Sequence, residues 1–261
     1  MTKVAVVVAL ALVTAWCDTD ILNETGTSLS SRQVKIVATT TIVADLVEQV
    51  GGERVDVQTL MEPGVDPHRY RATPADVEAF ADADAVFYNG LGLEARLEHG
   101  LGRMEYRALP FAVARGIEPD RLLASPGAAG AYDPHVWFDV ELWRRAARQV
   151  RDDLVSLDRA NASVYHDNAE RYDRELVELD AWVRRETARI PAGKRVVPAA
   201  HPAFAYFARA YGFRFGGSDD RLAGRLFFDA LGYPGTPAGS YVGMVRHNVE
   251  TLVASLNGDS R

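Results

Sequence analysis

From Val34 onward the chain changes back and forth between two hydrophobic rhythms. VKIVAT (34–39) is a β-branched run, and TIVADLVEQVGG (41–52) spaces its apolar residues at helical intervals before closing on Gly51-Gly52. RVDVQTL (54–60) alternates with period two, as a half-buried strand does. TPADVEAFADAD (73–84) opens with Thr73 as N-cap and Pro74 in the first helical turn. AVFYNG (85–90) then predicts a short strand, GLEARLEHGL (92–101) a short helix and YRALPFAV (106–113) another strand. Strands that alternate with helices predict parallel βα units, in which ligands bind beyond the carboxyl ends of strands.

The second half begins helically. VELWRRAARQVRDDLVSL (140–157) has the helical period, DRAN (158–161) interrupts it, and residues 162–190 keep the period until Pro191. At about 1.5 Å per residue the latter helix is on the order of 40 Å long, which suits a strut between two lobes. RVVPAA (195–200) and AFAYFARAYG (203–212) read as the strand and helix that start a second α/β lobe. After the turn YPGTPAG (233–239), SYVGMVRHNVETLVASLNG (240–258) reads as a last helix.

The stretch before Val34 differs in kind. Lys3 is followed by an uncharged, mostly apolar run from Val4 to Trp16, too short to cross a bilayer and of the length of a secretory signal's apolar region. Cys17 follows directly, where a bacterial lipoprotein carries its lipidated cysteine, although Trp16 replaces the usual small residue and cleavage after Ala15 is the alternative. Residues 18–33 are polar and aperiodic and read as a flexible tether. The predicted organisation is thus an export segment (1–17), a tether (18–33), an N-terminal α/β lobe (34–162), a linking helix (163–190) and a C-terminal α/β lobe (191–261).

Composition narrows the chemistry. A net charge of −7 without basic tracts argues against nucleic acid as a partner and suits a protein that meets cations. Cys17 is the only cysteine, so no disulfide forms within one chain, and cysteine nucleophiles and CxxC zinc sites are excluded. GxxxxGK[ST], GxSxG and HExxH are absent, as is GxGxxG between a strand and a helix.

The histidines carry the remaining signal. The tripeptide Asp-Pro-His occurs twice, in GVDPHRY (64–70) and AYDPHVW (131–137). Each proline fixes its own φ and biases the preceding aspartate toward extended backbone, so His68 and His135 are presented stiffly. His68 follows a predicted strand, and so does His201, after RVVPAA; His135 follows the loop SPGAAGAYDP. Neutral imidazole is a common metal ligand, and three such loops could converge, though a loop histidine can equally be a solvated residue. His99 and His166 lie on charged helical faces and read as solvated, and His247 reads as structural.

VDPHRYRATPADVEAFADADAVFYNGLGLEARLE, YDPHVWFDV, AAHPAFAYFARAYGF and FFDALGYPGTPAGSYVGMVRHNVETLV together resemble the metal-specific solute-binding proteins of ABC importers, the ZnuA/TroA family. The resemblance spans nearly all of residues 34–256, with several spaced motifs in the family's order. It implies two βα lobes with parallel sheets joined by one long helix, and a metal held between them by His68, His135, His201 and Asp229. Asp66 and Asp133 would orient the rings or cap turns. It also implies a monomer on the extracytoplasmic face, periplasmic or membrane-anchored, that passes its ion to an ABC permease of the inner membrane.

Two departures stand out. His201-Pro202-Ala203-Phe204 replaces the family's His-Asp-Ala-Phe, which a helix start tolerates. Only 28 positions separate His201 from Asp229, where the family has roughly two further βα units, so the C-terminal lobe is shortened and Asp219 or Asp220 could stand in for a displaced Asp229. Three imidazoles and a carboxylate suit Zn2+ better than Mn2+, which prefers more oxygen; Mn2+ stays the alternative because within the family such a set does not exclude it. Two other classes stay open: a relic or adhesin that no longer transports metal, and a zinc hydrolase if Asp229 is lost and water takes its place.

Overall fold

The computed structural model describes residues 29–97, 108–125, 130–197, 202–216 and 226–257. β1 (Val34–Thr40) lies inside a four-stranded sheet of order β2-β1-β3-β4, with β2 (Val55–Met61), β3 (Ala85–Tyr88) and β4 (Leu109–Ala112) all parallel to their neighbours. β1 is buried at six of seven positions, as a strand covered on both faces should be, whereas β2 at the edge is only partly buried. Period two sends Ile36 and Ala38 to one face and Val37 to the other, where a smaller cluster forms with Met61, Phe80 and Val86.

The helix boundaries follow the local signals. α1 (Thr41–Gly51) is capped by the Thr40 hydroxyl and ends where Gly52 takes φ +54°. α2 (Pro74–Asp82) starts with a reciprocal capping box between Thr73 and Asp76. α3 (Val140–Leu157) is capped by Asp139, and α4 (Ala162–Ala188) is the long helix. Of the helix expected over 92–101, residues 92–94 form a turn, 95–97 are helical, and 98–101 lie outside the described residues.

α4 buries Tyr165, Ala169, Tyr172, Leu176, Leu179, Val183 and Thr187, a stripe at intervals of three and four residues. That stripe packs on α1 and α3 and also on the later helices α5 (Ala205–Tyr211) and α6 (Tyr241–Asn257). One contiguous core therefore runs from Val34 to Val253, and the long helix is its shared wall. Among the described residues a second sheet is formed by β5 (Val196–Val197) and β6 (Arg214–Phe215), a parallel pair two residues long. Between residue 226 and α6 the chain forms no strand. Residues 29–33, within the stretch read as a tether, lie against the first sheet, where Arg32 pairs with both carboxylate oxygens of Asp84 at 2.7 and 2.8 Å. Among the described residues no helix is long and apolar enough to cross a membrane.

Candidate metal centre

The loop after β2 turns at Pro63-Gly64, with Gly64 at φ +89°. It then runs into Asp66-Pro67-His68, where the Asp66 carboxylate accepts the backbone N–H of His68 at 2.9 Å. Pro67 is buried and His68 half-buried, and the segment hands over to the capped start of α2.

His135 is held more firmly. Its N–H donates to Asp133 Oδ1 at 3.0 Å, repeating the turn seen at Asp66. The same oxygen also lies 2.6 Å from ring Nδ1. Asp133 and His135 are 3% and 2% exposed, so this contact is shielded from water. The surrounding loop is anchored by Tyr206, which donates to the Asp133 carbonyl at 2.8 Å, and by the Asn89 side chain, which donates to the Pro134 carbonyl at 3.0 Å. His135 does not sit directly beyond a parallel strand. It follows a single antiparallel bridge between Ala124 and Tyr132 and caps a 3-10 turn at Val136–Phe138.

The two rings meet at their Nε2 atoms, 3.2 Å apart. Asp229 Oδ1 lies 3.5 Å from His135 Nε2, and one ligand atom from each of His68, His135 and Asp229 falls within 4.8 Å of the others. For nitrogen and oxygen ligands about 2.0–2.1 Å from a tetrahedral ion, adjacent donors stand about 3.3–3.4 Å apart, so the His68–His135 and His135–Asp229 spacings match such an ion. With Nδ1–H donating to Asp133, neutral His135 presents the lone pair of Nε2 to the centre. Burial alone disfavours the charged ring, but the hydrogen bonds and charges of Asp133 and Asp229 outweigh it and raise His135 above its usual 6.5. A cleft of about 410 Å³ adjoins, lined on one side by Pro63–Asp66 and on the other by Leu226–Tyr233.

His201, the third expected histidine, lies outside the described residues, as do Asp219, Asp220, His99 and Cys17. His166 is exposed, and His247 packs its ring edge-on to Phe227 at 5.2 Å. Sequence pattern gives no sign of the carboxylate of Glu94, which is 1% exposed. It accepts from the Thr39 hydroxyl at 2.7 Å and from the backbone N–H groups of Asn89 and Gly90 at 2.8 and 3.3 Å. The Gly-dotted run around it supplies the geometry, with Gly90, Leu91 and Gly92 all at positive φ. Glu94 thus fixes the backbone of Asn89, whose side chain steadies the His135 loop.

A parallel α/β chain with one long shared helix and a cleft between loops is the architecture of periplasmic metal-binding proteins. The solved periplasmic zinc-binding protein TroA from Treponema pallidum superposes with a TM-score of 0.79 at 33% identity, covering 86% of this chain and 99% of that one. The family model described as zinc-uptake complex component A, periplasmic, matches residues 36–220, and the chain belongs to this ZnuA family. It is 32% identical to the manganese-binding lipoprotein MntA of Bacillus subtilis (strain 168), over 92% of this chain and 94% of that protein. Against the zinc-binding protein TroA of Treponema pallidum (strain Nichols) identity is 33%, over 85% and 88% of the two chains. The alignment with MntA runs to 292 positions, more than the 261 residues of this chain, so the relative carries residues that are missing here.

Proposed function

We propose that this chain captures a divalent transition metal outside the cytoplasmic membrane and delivers it to an ABC-type permease. His68, His135 and Asp229 act as ligands, with His201 as the fourth. The observation that carries this reading is the approach of two imidazole Nε2 atoms and one carboxylate oxygen to within 4.8 Å beside an open cleft. His201 directly precedes the turn Pro202–Phe204, and Phe204 packs on Phe138 at 4.5 Å and on Phe228 at 5.3 Å. Phe138 and Phe228 follow His135 and precede Asp229 closely in the chain, which supports His201 as a further ligand.

Zinc is the first choice of cargo, because three neutral imidazoles and one carboxylate form a closed tetrahedral set of borderline softness. Manganese is the second reading, supported by the likeness to MntA. A set of four protein ligands leaves no open position for an activated water, so the site binds and releases rather than catalyses. The remaining proposals concern the whole chain: export through residues 1–17, attachment or release at Cys17, a linking helix at 163–190 between lobes at 34–162 and 191–261, and action as a monomer.

Calorimetric titration of the purified protein with zinc and with manganese tests this reading. One ion per chain, bound tightly and lost in His68→Ala, is the expected result. Absence of binding to either ion would leave the relic or adhesin reading in its place.

A further inference from the structure

Asp229 sits in a segment that belongs to no sheet among the described residues, yet its backbone is held from three directions. The Trp137 indole N–H donates to the Phe228 carbonyl at 2.9 Å. The Leu231 N–H donates to the Thr41 hydroxyl oxygen at 2.8 Å. The Asn248 side chain, 2% exposed on α6, accepts from the Phe227 N–H at 2.9 Å and donates to the Phe227 carbonyl at 2.8 Å. That amide does for one residue what a neighbouring strand does in a ladder. These bonds bracket Asp229 on both sides, and two of the three anchoring side chains, Thr41 and Trp137, come from the stretch before the long helix.

We infer that Thr41, Trp137 and Asn248 are positioning residues for the Asp229 carboxylate, so that the N-terminal βα layer and the last helix, rather than a second sheet, set its place in the site. The inference rests on Asp229 being a metal ligand. Thr41 stands at the first turn of α1, immediately beyond β1, so the hydroxyl is fixed by the best-buried strand of the molecule. Trp137 does more than hold a carbonyl. Its ring packs edge-on to His135 at 5.2 Å, so one side chain ties an imidazole ligand to the carboxylate segment. Asn248 adds α6, whose buried face Met244, Val245, Val249 and Leu252 is part of the common core. A segment outside any sheet can in this way keep its carboxylate aligned with the imidazoles.

A double-mutant cycle tests this, with zinc affinity measured by competition against a chromophoric chelator. Thr41→Val keeps the shape and removes one hydroxyl, and it should weaken zinc about 3- to 10-fold. In an Asp229→Ala background the same change should cost nothing further, because no carboxylate remains to be placed. Trp137→Phe serves as the second arm, should Thr41→Val fold poorly, with the same expected pattern. An equal loss in both backgrounds would overturn the inference, since that is what general loosening of the fold produces. No loss from either variant in the otherwise native protein would overturn it too. Asp229→Ala that binds zinc as tightly as the native chain would sink the ligand assignment itself, and the inference with it.

Discussion

The two Asp-Pro-His segments share three residues and one backbone device, and they hold their imidazoles differently. At Asp66 the carboxylate closes only the turn, and it remains exposed. At Asp133 the same turn is buried, and the oxygen that closes it also takes the ring. The difference comes from what lies outside the tripeptide. Tyr206 and Asn89 clamp the second loop through its carbonyls, whereas the first borders the open cleft. Identical local chemistry yields a buried, clamped imidazole where other elements cover it and a half-buried one beside the cleft where they do not.

That contrast can be broken in several ways. His135→Ala removes a donor and leaves the buried Asp133 without its ring partner, so it should lower zinc affinity by well over about 100-fold and also lower the melting temperature. His68→Ala should lose comparable affinity with the melting temperature unchanged, which calorimetry and a thermal scan would separate. Asp133→Ala should weaken zinc by about 10- to 100-fold through ring orientation. Asp66→Ala should change affinity less than about threefold, and equal effects at the two positions would refute the distinction.

Acidity sharpens it further. Because His135 is raised above 6.5, protons should begin to displace zinc above that pH, earlier than at an ordinary histidine. The metal-free protein has the opposite dependence: the raised imidazole contributes stability that is fully present below 6.5 and is lost as pH rises through the folded value. The zinc-induced rise in melting temperature should therefore grow from about pH 5.5 to about pH 8. Asp133→Ala should move the onset of that growth to lower pH. A profile unchanged by that substitution would argue against Asp133 as the group that holds the proton.

Much of this was legible in the sequence wherever the cause is local. Thr73-Pro74 opens its helix, Gly51-Gly52 closes another, and the long helix declares itself by period alone. The repeated tripeptide pointed to two of the converging donors, and the resemblance to a known family pointed to Asp229. The groups that organise the site were not legible, because they act across the chain. Leu231 meets Thr41 over 190 positions, and Tyr206 meets Asp133 over 73. No window of periodicity contains such pairs. Nor does the period of the long helix reveal that Tyr172, Leu176 and Leu179 join a core shared with both the earlier and the later helices.

The closure of that core has a consequence for the order in which the protein is made. The first helix, α1, touches the last, α6, and Thr41 at its start takes the N–H of Leu231. This helix packs early on the strands beside it and on α3 and α4, yet it is completed only by residues that emerge near the end of synthesis. Until then the nascent chain has no complete core to collapse into. Late completion of this kind keeps a polypeptide threadable while it is translated, as passage through a narrow export channel requires.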